Sequence, residues 1–149
     1  MIFDQRKNIN RGYRKLRIWQ DAVLYYKKSN NVLKDFSHRL RRISSNQLAA
    51  VDSVHRNIAE GYCRKTRKEY LRYSTIAKGS IGESISGWHV YFQAGHISEQ
   101  NFSKLDALFY KNENGLIKLI KSIRSKNYKT WADALIVKES NVIYGKMDG

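Results

Sequence analysis

The sequence predicts an all-α protein, an antiparallel up-down-up-down four-helix bundle with a C-terminal extension. Apolar side chains recur at intervals of three and four residues, the spacing that gathers them on one face of a helix. Proline is absent from all 149 residues, so no helix is broken by a missing backbone donor. Four amphipathic segments joined by short connections bury their apolar faces with the least strain as a bundle.

The first two helices are predicted at about residues 16–36 and 44–61. Ser44, with Gln47 three residues later, matches a capping box and predicts the start of the second helix. Gly61 predicts its end, because glycine readily adopts the left-handed conformation that follows many helices.

The third and fourth helices have clearer boundaries. Thr66 and Glu69 form another capping box, which predicts the start of a third helix of about 29 residues. Gly95 predicts its end. Ser98 is expected to cap the fourth helix, whose apolar pattern weakens beyond Ser125.

The chain is therefore divided into a basic N-terminal arm (1–15), a four-helix bundle (16–124) and the extension (125–149). Cys63 is the only cysteine, which excludes an internal disulfide and fits a reducing compartment. The N-terminus lacks the apolar stretch of a secretory signal, and no apolar run approaches the length of a membrane span. We expect a cytoplasmic protein with no membrane partner.

An enzyme is not expected, and neither is a cofactor or a metal ion. Cys63 has Arg64 and Lys65 beside it, which would lower a thiol pKa, but no catalytic histidine string accompanies it. Residues 79–82 lack the lysine of a phosphate-binding loop and lie within a helical pattern. The histidines do not have the spacing of a helical metal site; they are His38, His55, His89 and His96.

Charge is the strongest functional signal. Lys and Arg number 28 against 13 Asp and Glu, a net charge of +15. Residues 1–78 hold 19 of these cations and 6 of the acids. In an up-down bundle, the start of helix one, the junction of helices two and three and the end of helix four share one end. The cations expected there are Arg11, Arg14, Lys15, Arg17, Arg64, Lys65, Arg67, Lys68, Lys121 and Arg124.

Such a cluster repels itself in the free protein and attracts a polyanion, so RNA or DNA is the predicted partner, contacted through phosphates with little sequence specificity. An acidic protein partner and a merely solvated surface are the alternatives. Tyr13, Tyr62 and Tyr70 lie among these cations, where they could stack on unpaired bases. The alternative for Tyr62 and Tyr70 is that they are core residues at the ends of their helices.

Two further sets of residues are predicted to be structural or to lie at a subunit interface. Asp52, Arg56 and Glu60 follow one another at four-residue intervals, so Arg56 is expected to pair with both carboxylates. The third helix is expected to project past the second and expose apolar side chains, which a neighbouring subunit would cover. The alternative is that helices one and four, or the tail with Trp131, cover that end. The residues assigned to such roles are Asp52, Arg56, Asn57, Glu60, Trp88, Tyr91 and Phe92.

Several strings resemble proteins encoded by intervening sequences of bacterial 23S ribosomal RNA genes. They are residues 16–22 (LRIWQDA), Gln47-Leu48 leading to Ser53-Val54, residues 57–61 (NIAEG), and residues 76–80 (IAKGS) followed by Glu83. The resemblance covers residues 13 to 124 and implies a four-helix protomer, a ring-shaped homopentamer and nucleic-acid binding without catalysis. The chain departs from the pattern in lacking a proline between the first two helices and in its longer tail.

A related group of bundles serves as accessory subunits of reverse transcriptases in diversity-generating retroelements. This relation supplies the alternative function, a protein-binding adaptor.

Overall fold

The computed structural model describes residues 9–125, with side chains from Gly12 onward, and confirms the all-α class with four α-helices. No strand occurs within this range. Most of the arm and nearly all of the extension, residues 1–8 and 126–149, lie outside the described residues. The elements are a 3₁₀ helix at Ile9–Lys15, α1 at Arg17–Leu33, a 3₁₀ turn at His38–Leu40, α2 at Arg41–Cys63, α3 at Arg67–Gln93 and α4 at Glu99–Ser125.

Contacts between helices show that the members of two packed pairs, α1 with α4 and α2 with α3, run in opposite directions. Asn112 Nδ2 of α4 donates a hydrogen bond to the Asp21 carbonyl of α1, and Lys28 Nζ, further along α1, donates to Asn101 Oδ1, earlier in α4. Residue numbers therefore fall on one helix as they rise on the other. The same reversal relates α2 to α3 in two contacts, Gln47 with Ser84 and Ser53 with Ser80.

A buried polar network ties α1, α2 and α3 together. Tyr25 Oη lies 2.7 Å from Ser84 Oγ and accepts a hydrogen bond from Trp88 Nε1 at 3.1 Å. Gln47 Nε2 donates to the Ser84 carbonyl at 2.7 Å. Burial, which disfavours the phenolate, raises the pKa of Tyr25 to about 12. Because each of these groups has a partner, the network fixes the register of three helices at little desolvation cost.

The first helix ends earlier, and the second begins earlier, than expected. α1 ends at Leu33, and a turn follows in which Phe36 N donates to the Leu33 carbonyl. α2 begins at Arg41, so the capping box predicted at Ser44 is wrong. Ser44 lies inside the helix, and the Gln47 amide that would have completed the box is buried against α3.

The predicted stop at Gly61 is also wrong, since α2 continues to Cys63 and Lys65 takes the left-handed conformation, with φ of 69°. Gly61 is required by the packing of α3 against α2. A Cβ built on Gly61 would lie 2.9 Å from Tyr73 Cβ and 3.3 Å from the Tyr70 ring. Gly61 therefore allows α3 to approach α2 closely where the two helices meet.

The boundaries predicted for α3 and the start predicted for α4 are confirmed. Thr66 Oγ1 accepts a hydrogen bond from Glu69 N, and Ser98 Oγ accepts one from Asn101 N. Gly95 has φ of 81°, and the amides of residues 95 and 96 bond back to the last turn of α3. No helix within residues 9–125 is long and apolar enough to cross a membrane.

Candidate functional site

Contacts at one end of the bundle bring separated segments together. The Tyr13 ring meets the rings of Trp19 and Tyr62 edge-on at 5.2 and 6.5 Å, which holds the 3₁₀ helix against α1 and the end of α2. Arg67 Nε donates to the Ile123 carbonyl at 3.0 Å, which holds the start of α3 against the end of α4. We call this region, residues 12–17, 60–68 and 121–125, the basic end.

The ten predicted cations all belong to segments that meet here, but their environments differ. The side chain of Arg11 lies outside the described residues. Arg14, Arg17 and Arg67 are half-buried. The exposed cations are Lys15, Arg64, Lys65, Lys68, Lys121 and Arg124. The structure therefore brings together the elements that the charge pattern singled out, and six of their cations face solvent.

The Arg67 side chain has a structural role, because it joins the start of α3 to α4. Besides its bond to Ile123, its guanidinium donates to the Arg124 carbonyl at 3.2 Å. The last carbonyls of a helix have no partner within it, and they carry the negative end of the helix dipole. A guanidinium there supplies both a donor and a complementary charge, so Arg67 caps α4.

Arg64 is anchored although it is exposed. Its Nε lies 2.8 Å from Glu60 Oε2, and its Nη2 donates to Tyr73 Oη at 2.9 Å. The hydrogen bond to Glu60 raises the pKa of Arg64 above its usual value. The pairing offsets part of the charge of Arg64, which leaves Lys65 and Lys68 as the exposed cations of the α2–α3 junction that form no ion pair within residues 9–125.

The predicted carboxylate ladder on α2 is wrong in its pairing. Asp52 accepts hydrogen bonds from Arg56 and from His55, the latter at 2.7 Å, while Glu60 is bound by Arg64. Burial alone would raise the pKa of Asp52, but the hydrogen bonds from Arg56 and His55 outweigh it and lower the pKa below its ordinary value. Two local ion-paired groups therefore replace the single ladder.

Asn57 has a structural role in the contact between α2 and α3. Its Nδ2 donates to the Ser53 carbonyl at 2.8 Å and to Ser53 Oγ at 2.9 Å. Ser53 Oγ in turn lies 2.8 Å from Ser80 Oγ on α3. Together with the close approach at Gly61, this contact gives residues 57–61 a packing function within one chain.

The tyrosines among the cations are core residues. Tyr62 and Tyr70 are buried, and the half-buried Tyr13 packs against the core. The stacking role considered for Tyr62 and Tyr70 is therefore wrong, because their faces are covered by the chain itself.

The premise that Trp88 needs covering by a neighbouring subunit is wrong as well. Trp88 is fully buried within the chain, with Tyr91 half-buried against its ring edge at 6.0 Å. α2 has 23 residues and α3 has 27, so little of α3 projects beyond its neighbour. Phe92 is 37% exposed and stacks on Phe102 at 4.9 Å.

Two surface features lie outside the predicted site. One is an open groove of about 380 Å³ between α3 and α4, lined by Lys78, Ile117, Ile120, Lys121, Arg124 and Ser125. No local sequence signal identifies it, because its lining comes from two helices. The other is an exposed cationic run at the start of α2, comprising Arg39, Arg41 and Arg42, which the sequence displays openly.

Metal binding finds no support in the part of the chain that is described. Between residues 9 and 125, no three His, Cys, Asp or Glu side chains come close enough together to hold a metal ion. The chemistry that the arrangement offers is the attraction of anions by an uneven distribution of positive charge.

Comparison with known proteins agrees with this architecture. No curated protein matches the chain in sequence. The family model described as 23S rRNA-intervening sequence protein matches residues 14–118, which are more than two thirds of the chain and include α1, α2, α3 and most of α4. The chain belongs to the 23S rRNA-intervening sequence protein family.

Proposed function

We propose that this chain is a non-enzymatic, homo-oligomeric protein of the cytoplasm that binds RNA or DNA through the phosphates, using the basic end and reading little sequence. Members of the family are small helical proteins without an established function. The observation that carries the proposal is the hydrogen bonding of Arg67 to the end of α4. It fixes Lys65 and Lys68 on the same end of the bundle as Lys121 and Arg124.

Electrostatics favours a polyanion over a small anion. The exposed cations are spread over several turns of chain rather than focused on one point, which suits a ligand with repeated charges. Glu60, the exposed acid of this end, is already bound to Arg64. Binding of a phosphate backbone would relieve the mutual repulsion of the remaining cations and release counterions.

Support for a homo-oligomer comes from the outer face of α3. A Cβ built on Gly79 or on Gly82 would meet nothing within 4 Å, although glycine inside a helix costs about 1 kcal/mol relative to alanine. Ile76 and Val90, on the same helix, are 40% and 57% exposed. A second chain packing on this face would account for both features, and a pentamer is the assembly that the resemblance implies. Light scattering tests it, and a monomeric mass contradicts it.

The binding proposal is tested by the salt dependence of affinity for RNA and DNA of unrelated sequences. We expect the logarithm of the binding constant to fall linearly with the logarithm of the salt concentration, and to a similar extent for each sequence. Changing Lys65 and Lys68 to Gln should reduce the slope by about 1.4 on single strands. Arg67 is left intact because its loss would also disturb α4. Changing Arg41 and Arg42 to Gln removes the same charge far from the basic end and serves as the control.

Absence of binding at low salt would contradict the proposal, as would affinity that is insensitive to salt. Recovery of an acidic protein, such as a reverse transcriptase, from native lysate treated with nuclease would favour the adaptor function instead.

A further inference from the structure

The groove between α3 and α4 combines two kinds of surface. Lys78 on α3 and Lys121 and Arg124 on α4 supply cations along its lining. Ile117 supplies apolar surface that is 43% exposed, and the buried Ile120 lies beneath. A ligand complementary to this lining carries negative charge and has an apolar face.

The cations of the groove are not neutralised by the described part of the chain. Lys78, Lys121 and Arg124 are exposed, and none of them forms an ion pair with a carboxylate of residues 9–125. Three like charges around one cleft repel one another and raise the local concentration of anions. The groove therefore has the charge of an anion-binding surface.

We propose that this groove holds one nucleotide of a single-stranded nucleic acid, with its base against Ile117 and the flanking phosphates on Lys78, Lys121 and Arg124. The inference rests on the proposed function and adds a defined site to it. Unpaired bases offer an apolar face to a protein, whereas bases within a duplex are stacked and covered. A volume of about 380 Å³ is near the lower limit of small-ligand sites and provides room for one nucleotide.

The groove also continues the basic end. Arg124 lines the groove, and its carbonyl is capped by Arg67 at the start of α3. Lys78 follows Arg67 by eleven residues, roughly 16 Å along the helix. A strand whose phosphates contact Lys65 and Lys68 would therefore reach Lys78 after a few nucleotides. Residue 126 follows Ser125 directly, so the C-terminal extension is the competing occupant.

The test uses the full chain and three probes. They are a labelled oligothymidylate of about 12 nucleotides, a duplex of the same length, and inorganic polyphosphate, which has the charge but lacks bases. One variant carries Lys78→Gln, Lys121→Gln and Arg124→Gln. A second carries Ile117→Ser, with Ile117→Ala as a milder change if circular dichroism shows a lowered melting temperature. The matched control carries Arg39→Gln, Arg41→Gln and Arg42→Gln, which removes the same charge at the start of α2.

We expect the groove triple variant to bind the oligothymidylate about 100-fold more weakly at about 0.1 M salt, with the salt slope reduced by about 2. The control triple variant should lose much less. Ile117→Ser should weaken oligothymidylate binding about fivefold and leave polyphosphate binding unchanged. The unmodified protein should bind the single strand more tightly than the duplex.

Other results would overturn the inference. Equal losses in the groove and control triple variants would mean that only net charge matters. An Ile117→Ser variant that binds both ligands like the unmodified protein would exclude a base contact. If the extension fills the groove, both groove variants will bind normally, while the Lys65→Gln, Lys68→Gln variant will still bind more weakly. That result would exclude the groove as a nucleotide site and would still support the proposed function. If none of the probes binds, both the groove site and the proposed function are excluded.

Discussion

The two ends of the bundle carry positive charge in different ways. At the basic end, cations from the 3₁₀ helix, the α2–α3 junction and the end of α4 meet only because the chain folds, and Arg67 is used to hold them together. At the opposite end, where α1 and α3 finish and α2 and α4 start, the cations Arg39, Arg41 and Arg42 come from one continuous stretch. Positive charge therefore forms a surface assembled from several segments at one end and a local run at the other.

The interiors of the two ends differ as well. The opposite end is closed by aromatic contacts, with the Phe36 ring 5.7 Å from Tyr91 and the Phe92 ring stacked on Phe102. The basic end is closed by a close helix approach at Gly61 and by polar capping of α4. Substitutions in the aromatic contacts of the opposite end should therefore act mainly on stability, whereas substitutions of the exposed cations at the basic end should act mainly on binding.

The largest expected effect is the loss of stability on replacing Trp88, which lies at the opposite end. Trp88→Ala should lower the free energy of unfolding by about 3–5 kcal/mol, because it empties a fully buried site and removes the donor to Tyr25. Urea denaturation measures the loss. Phe92→Ala is the matched control and should cost about 1 kcal/mol or less, since Phe92 is partly exposed. An equal loss at Phe92 would indicate that another subunit buries it.

The buried network beside Trp88 should respond to alkaline pH. The pKa of Tyr25 is raised from 10.0 to about 12 in the folded chain, so the unfolded chain releases this proton first. Its contribution to stability is present below pH 10 and is lost as the pH rises through about 12, an effect of about 3 kcal/mol. A Tyr25→Phe variant, unfolded in urea over the same pH range, should show a flatter dependence. Identical pH profiles would contradict the assignment.

Replacing Gly61 and Gly79 by alanine should change the stability of the chain in opposite directions. Gly61→Ala should cost about 1–3 kcal/mol, because its Cβ would crowd Tyr73 at the basic end. Gly79→Ala should stabilise an isolated chain by up to about 1 kcal/mol, because its Cβ meets nothing. Thermal unfolding, followed together with mass in solution, checks both. A destabilising Gly79→Ala accompanied by dissociation would identify α3 as a subunit contact.

The smallest expected effect is the difference in stability between variants of two neighbouring cations at the basic end, Arg67, which holds α4, and Lys68, which is exposed. Arg67→Ala should lower the free energy of unfolding by about 1–2 kcal/mol, since it frees two carbonyls at the end of α4. Lys68→Ala, next in sequence and exposed, should change it by less than about 0.5 kcal/mol. Chemical denaturation of the pair provides the measurement. Equal stability of the two variants would show that Arg67 does not cap α4.

Local chemistry explains which parts of the fold were predictable. Thr66, Gly95 and Ser98 act through backbone groups a few residues away, so their signals can be recognised in the sequence. Ser44 and Gly61 carry similar signals and were misassigned, because tertiary contacts recruit Gln47 and Gly61 to the packing of α2 against α3. A one-dimensional pattern cannot distinguish the two uses.

The candidate site was likewise predictable in part. Helix order was sufficient to bring the arm, the α2–α3 junction and the end of α4 to one end. It did not reveal that Arg67 is a cap, that Arg64 is held by Glu60, or that Lys78 faces α4 across a groove. Each of these depends on side-chain geometry across two or more turns or helices.

The most direct test of the account is to map where nucleic acid contacts the folded protein. A photoreactive single-stranded oligonucleotide is cross-linked to the full chain, and the modified peptides are identified by mass spectrometry. We expect cross-links in residues 62–78 and 117–125. Cross-links concentrated in residues 34–42 would contradict it, because the local cationic run would then be the binding surface and the assembled end would not.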